Sequence, residues 1–378
     1  MKGRARDFVP AIAAALLALP AQSEGLRERF TDPEDGAFDA SEYLLDHRGV
    51  LPVPIIITEP AVGYGGGVAL TWFSESMREA AARAEPGGRI APPNIFALMY
   101  AATDNGTKFG GVGGRASFEQ DTWRYRGALA SLNVNLDFYG IGNDLPKIGY
   151  NLDGYASFQE LTRRVAGSDF FLGMRWVYLD LNSSLQPGDT GLTPKQFAHR
   201  SSQVGVTSVY DSRDNIFFSK RGMEAALDAL FASPSVGSDN TFQAYRAHVF
   251  AFVPAYEDKL VVALRGDTRA ARGDVPFYQV PFIDMRGVPV GRYQDENTAL
   301  AEVEGRWYFT PRWIGVAFMG AGRAWGTHES FSETNSVVSK GVGFRYLVAR
   351  RLGLAVGIDV AKGPEKTAYY LQFGNAWR

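Results

Sequence analysis

Apolar and polar residues alternate with a period of two along most of the chain after about Val53. In ALAEVEGRWYF, residues 299–309, Val303 and Trp307 share one face, whereas Glu302, Glu304 and Arg306 share the other. Period two places successive side chains on opposite faces of a β-strand. Charged residues recur on one face over segments of about ten residues, the length of a strand that crosses a bilayer at a tilt. The pattern therefore predicts strands with lipid on one side and a wet lumen on the other.

Two further segments show the same division. In LNVNLDF, residues 132–138, the leucines and Val134 share a face opposite Asn133, Asn135 and Asp137. In RLGLAVGIDVA, residues 351–361, five apolar residues share a face opposite Asp359. A soluble β-sandwich also alternates but buries its apolar face. Because charges recur on the opposite face, we expect the apolar face to point to lipid in all of these segments.

About sixteen segments carry this pattern, and an even number suits a closed antiparallel barrel in which every backbone group is paired. The predicted fold class is all-β: a transmembrane antiparallel β-barrel of about 16 strands. The predicted strands are 53–58, 63–74, 94–103, 107–118, 122–136, 150–162, 169–182, 200–211, 222–234, 240–254, 258–272, 298–309, 313–325, 337–348, 351–362 and 367–376.

The N-terminus is typical of a secretory signal peptide, with three basic residues, an apolar run over 8–19 and small residues around Ala21 and Ser23. We predict a signal peptide over 1–23, a short periplasmic leader over 24–51 and an outer-membrane barrel over 52–378. Within the leader, Asp39 stands at an N-cap position, Glu42 follows three residues later and Gly49 ends the pattern, so one short helix is expected. It lies under or inside the periplasmic mouth of the barrel, or it is a frayed leader.

Composition excludes several functional classes. A net charge of −2 gives no electrostatic case for nucleic acid, and the chain contains no cysteine. The four histidines, His47, His199, His248 and His328, lack the spacing of metal ligands, and no nucleophile motif is present. We therefore expect no metal, no cofactor and no enzymatic activity. His248 shares a face with Phe250 and Phe252, which predicts an aromatic packing role. The segment SESMREAAARAEP, residues 74–86, is expected to be a solvated connector rather than a partner helix.

The connections expected on the outer side are mostly the longer ones, at 137–149, 183–199, 273–297 and 326–336, although 75–93 and 211–221 on the inner side are exceptions. One of them contains FIDMRGVPVGRYQDEN, residues 282–297, in which Arg286 stands beside Gly287. Such an arginine contacts only water in a solvated loop, or it bonds to acidic side chains if the loop folds inward.

Several motifs, in this order and spacing, resemble the barrel domain of the BamA/TamA family over roughly 51–378. MRGVPVGRYQD, from Met285, is similar to the family's Arg-Gly-aromatic motif on the sixth outer loop, although Val288 replaces the aromatic residue. YDSRDNIFFSKRG, from Tyr210, resembles the family's periplasmic turn motif, which implies roles for Asp211, Arg213, Asp214 and Gly222. AYYLQFGNAW, from Ala368, is similar to the C-terminal strand signal, here Tyr369, Leu371, Phe373 and Trp377.

The resemblance implies that the long outer loop folds back into the lumen as a latch formed by Arg286, Gly287, Glu302 and Glu304. In this chain the family's acid on the strand FxDxG is missing from Phe318–Gly322, so either Glu302 or Glu304 substitutes as the partner of Arg286, or the latch is weaker. The roughly 30 residues between the signal peptide and the barrel do not suffice for one periplasmic POTRA domain of ordinary size.

The expected function is to aid assembly or transport of outer-membrane components in a Gram-negative outer membrane, through a thin seam between the first and last strands. The expected partners are outer-membrane lipid and either outer-membrane protein clients or assembly machinery, with a monomeric barrel. A passive or plugged pore with no assembly role is the alternative, and a lipid hydrolase is a third hypothesis.

Overall fold

In the computed structural model, one antiparallel sheet accounts for nearly all of the regular structure in residues 29–82, 93–138, 148–186, 196–257, 259–327 and 329–377, the parts of the chain that the structure describes. Sixteen strands follow one another in sequence order, each paired with its neighbours in the chain. The predicted all-β barrel is confirmed. The predicted signal peptide, part of the leader and most of the loops 137–149 and 183–199 lie outside the described residues.

The first eight strands are β1 (Gly49–Ile57), β2 (Gly65–Phe73), β3 (Ile95–Thr103), β4 (Lys108–Phe118), β5 (Trp123–Phe138), β6 (Ile148–Arg164), β7 (Phe170–Gln186) and β8 (Gln196–Asp211). The remaining strands are β9 (Gly222–Ala232), β10 (Phe242–Ala255), β11 (Leu260–Gly273), β12 (Asn297–Tyr308), β13 (Trp313–Trp325), β14 (Val337–Ala349), β15 (Leu354–Lys362) and β16 (Thr367–Phe373).

All sixteen predicted segments correspond to observed strands, with boundaries that differ by at most four residues, as at the start of β1, the end of β7 and the start of β8. β1 begins at Gly49, inside the segment assigned to the leader, because it pairs with β2 along its whole length from Gly49 opposite Phe73. β16 ends at Phe373 rather than at residue 376, because Gly374 has φ +71° and turns the chain away from the ladder.

The barrel has two ends that differ in structure. We call the end where β1 starts and β16 stops the terminus end, and the opposite end the loop end. The 23 residues between β11 and β12 form the longest described connection, at the loop end. Four connections at that end, 58–64, 104–107, 233–241 and 363–366, are short, so the expected contrast in loop length holds for only part of the barrel.

Inward and outward faces alternate along the strands as the period-two pattern predicts. In β12, Glu302, Glu304 and Arg306 are buried inside, whereas Val303 and Trp307 are exposed outside. Direct cross-strand partners share a face, so the inward assignment passes from Glu304 to its partner Phe318 and onward around the sheet. The charged face therefore lines the lumen in the C-terminal half of the barrel.

The orientation of LNVNLDF is opposite to the prediction. Leu132 and Leu136 face the lumen, where they pack against the same buried cluster as Phe277 from the long loop. Asn133 and Asn135 face outward and both accept hydrogen bonds from the Asn151 side chain. Strands β5 to β8 have 16 or 17 residues, more than the ~9–11 that cross a bilayer, so their loop ends project beyond the apolar belt. There the outer face meets water and the inner face meets a packed loop.

Strands β1 and β16 form no ladder with each other, although the structure describes both completely. β1 contains Pro52 and Pro54, which have no backbone N–H to donate and which occur in sheets mainly on edge strands. The barrel is therefore nearly closed, with an open seam between its first and last strands.

Two short helices lie at the terminus end: α1 (Ser41–Asp46) in the leader and α2 (Met77–Ala82) between β2 and β3. The predicted leader helix is present, but its N-cap residue is Ala40; Asp39 instead accepts a 2.6 Å bond from the Ser41 N–H. Arg78 of α2 pairs with Glu42 and Asp46 of α1, and all three side chains are about half exposed, so the described part of this connector is solvated and contacts the leader. No helix in the described residues is long and apolar enough to cross a membrane.

Candidate functional site

The long loop folds back into the lumen and places Arg286 at its centre. The Arg286 side chain is 7% exposed; its Nη1 donates to Asp359 Oδ2 at 2.7 Å, and its Nη2 lies 2.8 Å from Glu304 Oε2. The guanidinium also lies over the Phe318 ring, 3.5 Å from the ring centroid. Planar arginine suits this position because its fork reaches two carboxylates while its face contacts an aromatic ring.

Five buried charges alternate in sign across the lumen: Arg306, Glu304, Arg286, Asp359 and Arg345. Arg306 Nε donates to Glu304 at 2.7 Å, and Arg345 donates to both Asp359 oxygens at 2.6 and 2.9 Å. Apart from Arg286, every member of this charge chain is completely buried. Each carboxylate contacts two arginines, and charges with such low exposure are stable only when paired in this way.

Asp359 is the partner that sequence reasoning missed. It lies on β15, two strands beyond Phe318–Gly322 of β13, the segment that lacks the family's acid. It faces the lumen opposite Tyr370. Phe318, the first residue of that segment, contributes the ring beneath Arg286. The one available signal was the lone acid on the polar face of RLGLAVGIDVA.

Glu302 does not pair with Arg286, so only Glu304 of the two proposed partners does. Glu302 accepts a 2.7 Å bond from Arg265, and the same guanidinium donates at 2.9 Å to the backbone carbonyl of Asp284 in the loop. Asp284 also pairs with Arg269 at 2.9 Å. Glu302 therefore supports a second anchor of the loop, through Arg265.

Gly287 lies where only glycine fits. Its φ is +84°, and a Cβ there would lie 2.9 Å from both Gly363 N and Ser339 Oγ. Its N–H donates to the Tyr370 hydroxyl at 2.9 Å, and the Ser339 hydroxyl donates to the Arg286 carbonyl. The tip of the loop is thus fastened to strands β14, β15 and β16.

The predicted turn motif forms a folded plug at the terminus end. Arg213 Nε donates to Asp211 at 2.9 Å, and the Asp214 carboxylate accepts the N–H groups of Lys220 and Arg221. Gly222 has φ +90°, and a Cβ there would lie 2.2 Å from the Ser212 carbonyl oxygen.

The plug reaches the charge chain through its inward face. Phe218 and Ser219 are buried within the barrel mouth. The Ser219 carbonyl accepts a 3.0 Å bond from Arg306 Nη1. The turn therefore contacts the same arginine that pairs with Glu304, from the end opposite the long loop.

The predicted C-terminal strand signal divides into two parts. Tyr369, Leu371 and Phe373 alternate on the outer face of β16, and Tyr369 is 53% exposed. Trp377 is not on the strand: it is 4% exposed and packs inside against Phe250, with the ring centroids 6.0 Å apart. His248 stacks on the other side of this cluster, 4.6 Å from Phe250, so its predicted aromatic role is confirmed, and it also contacts Glu224 at 3.3 Å.

Asn375 joins the tail to the plug and to the charge chain. Its N–H donates to the Phe217 carbonyl at 2.6 Å, and its Oδ1 accepts bonds from Ser219 N and Arg306 Nη1, both at 3.1 Å. The C-terminal tail, the β8–β9 turn and the long loop therefore meet through Arg306, Glu304 and Arg286.

The leader is clamped to the terminus end by a buried arginine. Arg312, in the β12–β13 turn, is 3% exposed and donates to Asp32 at 2.6 Å, Asp35 at 3.1 Å and Asp39 at 2.8 Å. Hydrogen bonding to Asp35 raises the pKa of Arg312. Burial raises the pKa of Asp39, but hydrogen bonds from Ser41 and Arg312 outweigh it and hold that pKa below its ordinary value.

Side-chain and backbone contacts span the seam at both ends. At the terminus end, the leader runs directly into β1, and its Ala40 N–H donates to the Val348 carbonyl of β14 at 2.7 Å. At the loop end, the long loop bonds Tyr370 of β16, and its Val290 N–H lies 3.4 Å from Glu59 in the β1–β2 connection. The seam thus lacks a ladder but is bridged by the clamp on one side and the loop on the other.

The N-terminal half of the lumen contains a charged side chain that is far more exposed than any member of the charge chain. Arg126 faces inward opposite Glu160 and pairs with it at 2.6 Å, yet its side chain is 54% exposed. Neighbouring inward positions carry Gly111, Gly113 and Ala128. Among the described residues, no group of three or more His, Cys, Asp or Glu side chains is placed to hold a metal ion.

A family model described as the Omp85 superfamily domain matches residues 142–377, more than half of the chain. No curated protein matches the chain in sequence. The match includes the β8–β9 turn, the long loop, the charge chain and the tail.

Solved structures that share the fold include one BamA chain and two CdiB chains. BamA from Haemophilus ducreyi lacking POTRA domains 1–3 aligns over 93% of this chain and 80% of its own, with a TM-score of 0.56 and 12% identity. CdiB from Acinetobacter baumannii aligns over 86% of this chain, with a TM-score of 0.52 and 11% identity. CdiB from Escherichia coli aligns over 85%, with a TM-score of 0.54 and 9% identity. The chain spans 58% and 61% of these two CdiB chains.

Proposed function

Because the chain belongs to the Omp85 superfamily, we propose that it is an outer-membrane barrel that aids assembly or transport of outer-membrane components by opening its seam. The terminus end faces the periplasm and the loop end faces the cell exterior. The barrel acts as a monomer, performs no catalytic step, and its partners are outer-membrane lipid and client proteins or assembly machinery.

One observation carries the proposal: β1 and β16 are fully described and form no ladder. In a closed barrel that ladder would contribute backbone hydrogen bonds along both strands, and none would be free. Here the facing edges of β1 and β16 form no ladder with each other, and Pro52 and Pro54 reduce the number of donors on β1. An unpaired edge is suited to accept a strand from another chain, the mode of recognition known as β-augmentation.

The latch gives the seam a control element. Arg286 contacts acids on β12 and β15, while neighbouring loop residues bond Tyr370 on β16 and approach Glu59 beside β1. With the long loop in the lumen, the loop ends of β1 and β16 both contact that loop and are held in place by it. Release of Arg286 would remove that restraint, so seam opening is coupled to latch opening.

A disulfide across the seam tests the proposal. Because the chain contains no cysteine, only the introduced cysteines can form a disulfide within it. Paired cysteines are introduced in 50–57 and 367–373, and the pairs that oxidise are retained. The strain carries the locked barrel as its only copy, and outer-membrane proteins and lipids are quantified. We expect the oxidised barrel to lower the levels of these proteins and lipids as deletion of the gene would, and reduction of the disulfide to restore them.

A matched control places the disulfide between β13 and β14, for example at Ala321 and Val338, which are directly paired. This bond closes no seam and should leave the inventory unchanged in both redox states. Normal growth and normal outer-membrane composition with a fully oxidised seam would rule out seam opening.

The wet N-terminal half of the lumen favours a second candidate function, a pore for small solutes. Arg126 is inward-facing and half exposed, so water reaches it inside the barrel. Conductance of the purified protein in planar bilayers separates the two candidates. Large, steady openings that persist in the seam-locked barrel favour the pore, whereas brief openings abolished by the lock favour the assembly role.

A further inference from the structure

Two lysines lie directly opposite each other on the outer surface near the loop end. Lys340 of β14 and Lys362 of β15 are cross-strand partners, and both are exposed. Neither forms an ion pair with any residue in the described ranges. Directly opposed side chains have Cβ atoms about 4.5–5.5 Å apart, and like charges at that spacing are destabilising. An unpaired pair of cations at this register is a site for an external anion.

The position of the pair relative to the membrane identifies the kind of anion. From Lys340 to Ala349, the end of β14, there are nine residue steps, about 30 Å of strand or about 23 Å of height at a tilt near 40°. Trp313 and Tyr346 meet edge to face at the lower end, with ring centroids 4.9 Å apart, as expected for an aromatic girdle. Lys340 is six residue steps from Tyr346, about 15 Å of height at the same tilt, so both lysine backbones lie in the upper half of an apolar belt about 25 Å tall. Their long side chains extend toward the upper boundary, where lipid phosphates are found.

The outer surface directly below the lysines is apolar and open. Val342, Phe344, Ile358 and Met319 are between 43% and 62% exposed, and all lie on the outward face of β13 to β15. Acyl chains can cover this strip while a phosphate lies between the two ammonium groups.

We propose that Lys340 and Lys362 bind a phosphate of an outer-leaflet glycolipid whose acyl chains cover the apolar strip below them. The proposal rests on the orientation given above, with the loop end outward, and not on seam opening. Because the site adjoins β16, the bound lipid borders the seam. The phosphate neutralises the repulsion between the lysines, so the lipid also stabilises the pairing of β14 and β15.

Binding of diphosphoryl lipid A to the full chain in dodecyl maltoside micelles tests the site. The comparison ligand has the same acyl chains and no phosphate. We expect the wild-type chain to prefer the phosphorylated lipid, and each Lys→Gln substitution to weaken that binding about fivefold, with K340Q/K362Q weaker by roughly 25-fold. K340R/K362R should retain binding. K259Q is the matched control, because Lys259 is exposed in a turn at the terminus end and pairs with Glu257 at 3.5 Å.

Thermal unfolding, measured first without lipid and then with lipid A, provides a second readout. In lipid-free micelles K362E should raise the melting temperature, because it replaces a repulsion with an ion pair, and lipid A should no longer raise it further. Equal lipid A binding by the wild type and the double Gln variant would overturn the site. If inorganic phosphate at millimolar concentration displaced lipid A and bound the site with the same affinity, the assignment of the ligand to a lipid would be overturned.

Discussion

Arg286 and Asp359 are 73 residues apart in the chain, yet Arg286 Nη1 donates to Asp359 Oδ2 at 2.7 Å inside the barrel. The bond connects the tip of the long loop to β15, the strand next to the seam strand β16. Since both side chains are almost fully buried, this pair is a specific and testable link between the loop and the sheet.

Arg286→Ala should release the loop and destabilise the barrel by about 3–5 kcal/mol, because it leaves Glu304 and Asp359 with one fewer cation each in a buried site. Bilayer conductance should rise, and the temperature at which heating changes the gel mobility of the barrel should fall. Arg292→Ala is the control in the same loop, since Arg292 pairs with Glu365 near the surface at 2.8 Å. Unchanged conductance in the Arg286 variant would mean that the loop is not a latch.

Two double-mutant cycles should distinguish Asp359, which contacts Arg286, from Glu302, which does not. Arg286 and Asp359 are in direct contact, so R286A and D359N should couple by about 1–3 kcal/mol. Glu302 bonds Arg265 instead and interacts with Arg286 only through their charges, so R286A and E302Q should couple more weakly than R286A and D359N. Unfolding free energies in detergent measure both cycles. A larger coupling to Glu302 than to Asp359 would contradict the observed pairing.

Trp377→Ala should destabilise the barrel by about 3–5 kcal/mol, because it empties a packed site next to Phe250 and Phe252. Tyr369→Ala removes an outward, half-exposed ring and should have a much smaller effect on unfolding. Melting of both purified variants provides the comparison. If Trp377 acts mainly as a targeting signal, its loss will lower membrane insertion and leave the melting temperature of inserted protein unchanged.

Leader docking should depend on pH in the acidic range. The pKa of Asp35 is lowered chiefly by its hydrogen bond with Arg312, and the pKa of Asp39 is also lowered. A lowered folded-state pKa contributes stability that is complete above the ordinary carboxyl value of about 3.9 and is lost as pH falls through the folded-state pKa. We therefore expect protease protection of residues 30–48 from neutral pH to about pH 4, and its loss below.

Arg312→Ala should undock the leader at neutral pH, because three carboxylates lose their shared cation at a cost of about 1.5–3 kcal/mol. Arg351→Ala is the matched control: Arg351 pairs with Glu42 of the same leader, but both side chains are about half exposed. Hydrogen exchange of residues 30–48 should increase only in the Arg312 variant. Equal protection in both variants would show that Arg312 does not clamp the leader.

Strand number and most strand boundaries follow from the sequence, because the period-two pattern is local and each strand carries its own signal. β13 was predicted at 313–325 and is observed there. The same reasoning placed Glu304 and Arg306 inside. It failed for 132–138, because the pattern identifies two faces but not which one meets water, and that depends on how far β5 rises above the apolar belt.

The sequence by itself determined the barrel and the presence of an arginine at the tip of a long loop. Only the tertiary structure decided that Asp359 and Glu304 hold that arginine, that Trp377 turns inward, and that β1 and β16 remain unpaired. Those features depend on the register of strands far apart in the chain and on which side chains fill the closed lumen. Alternation in sequence carries no information about either, because it repeats identically in every strand.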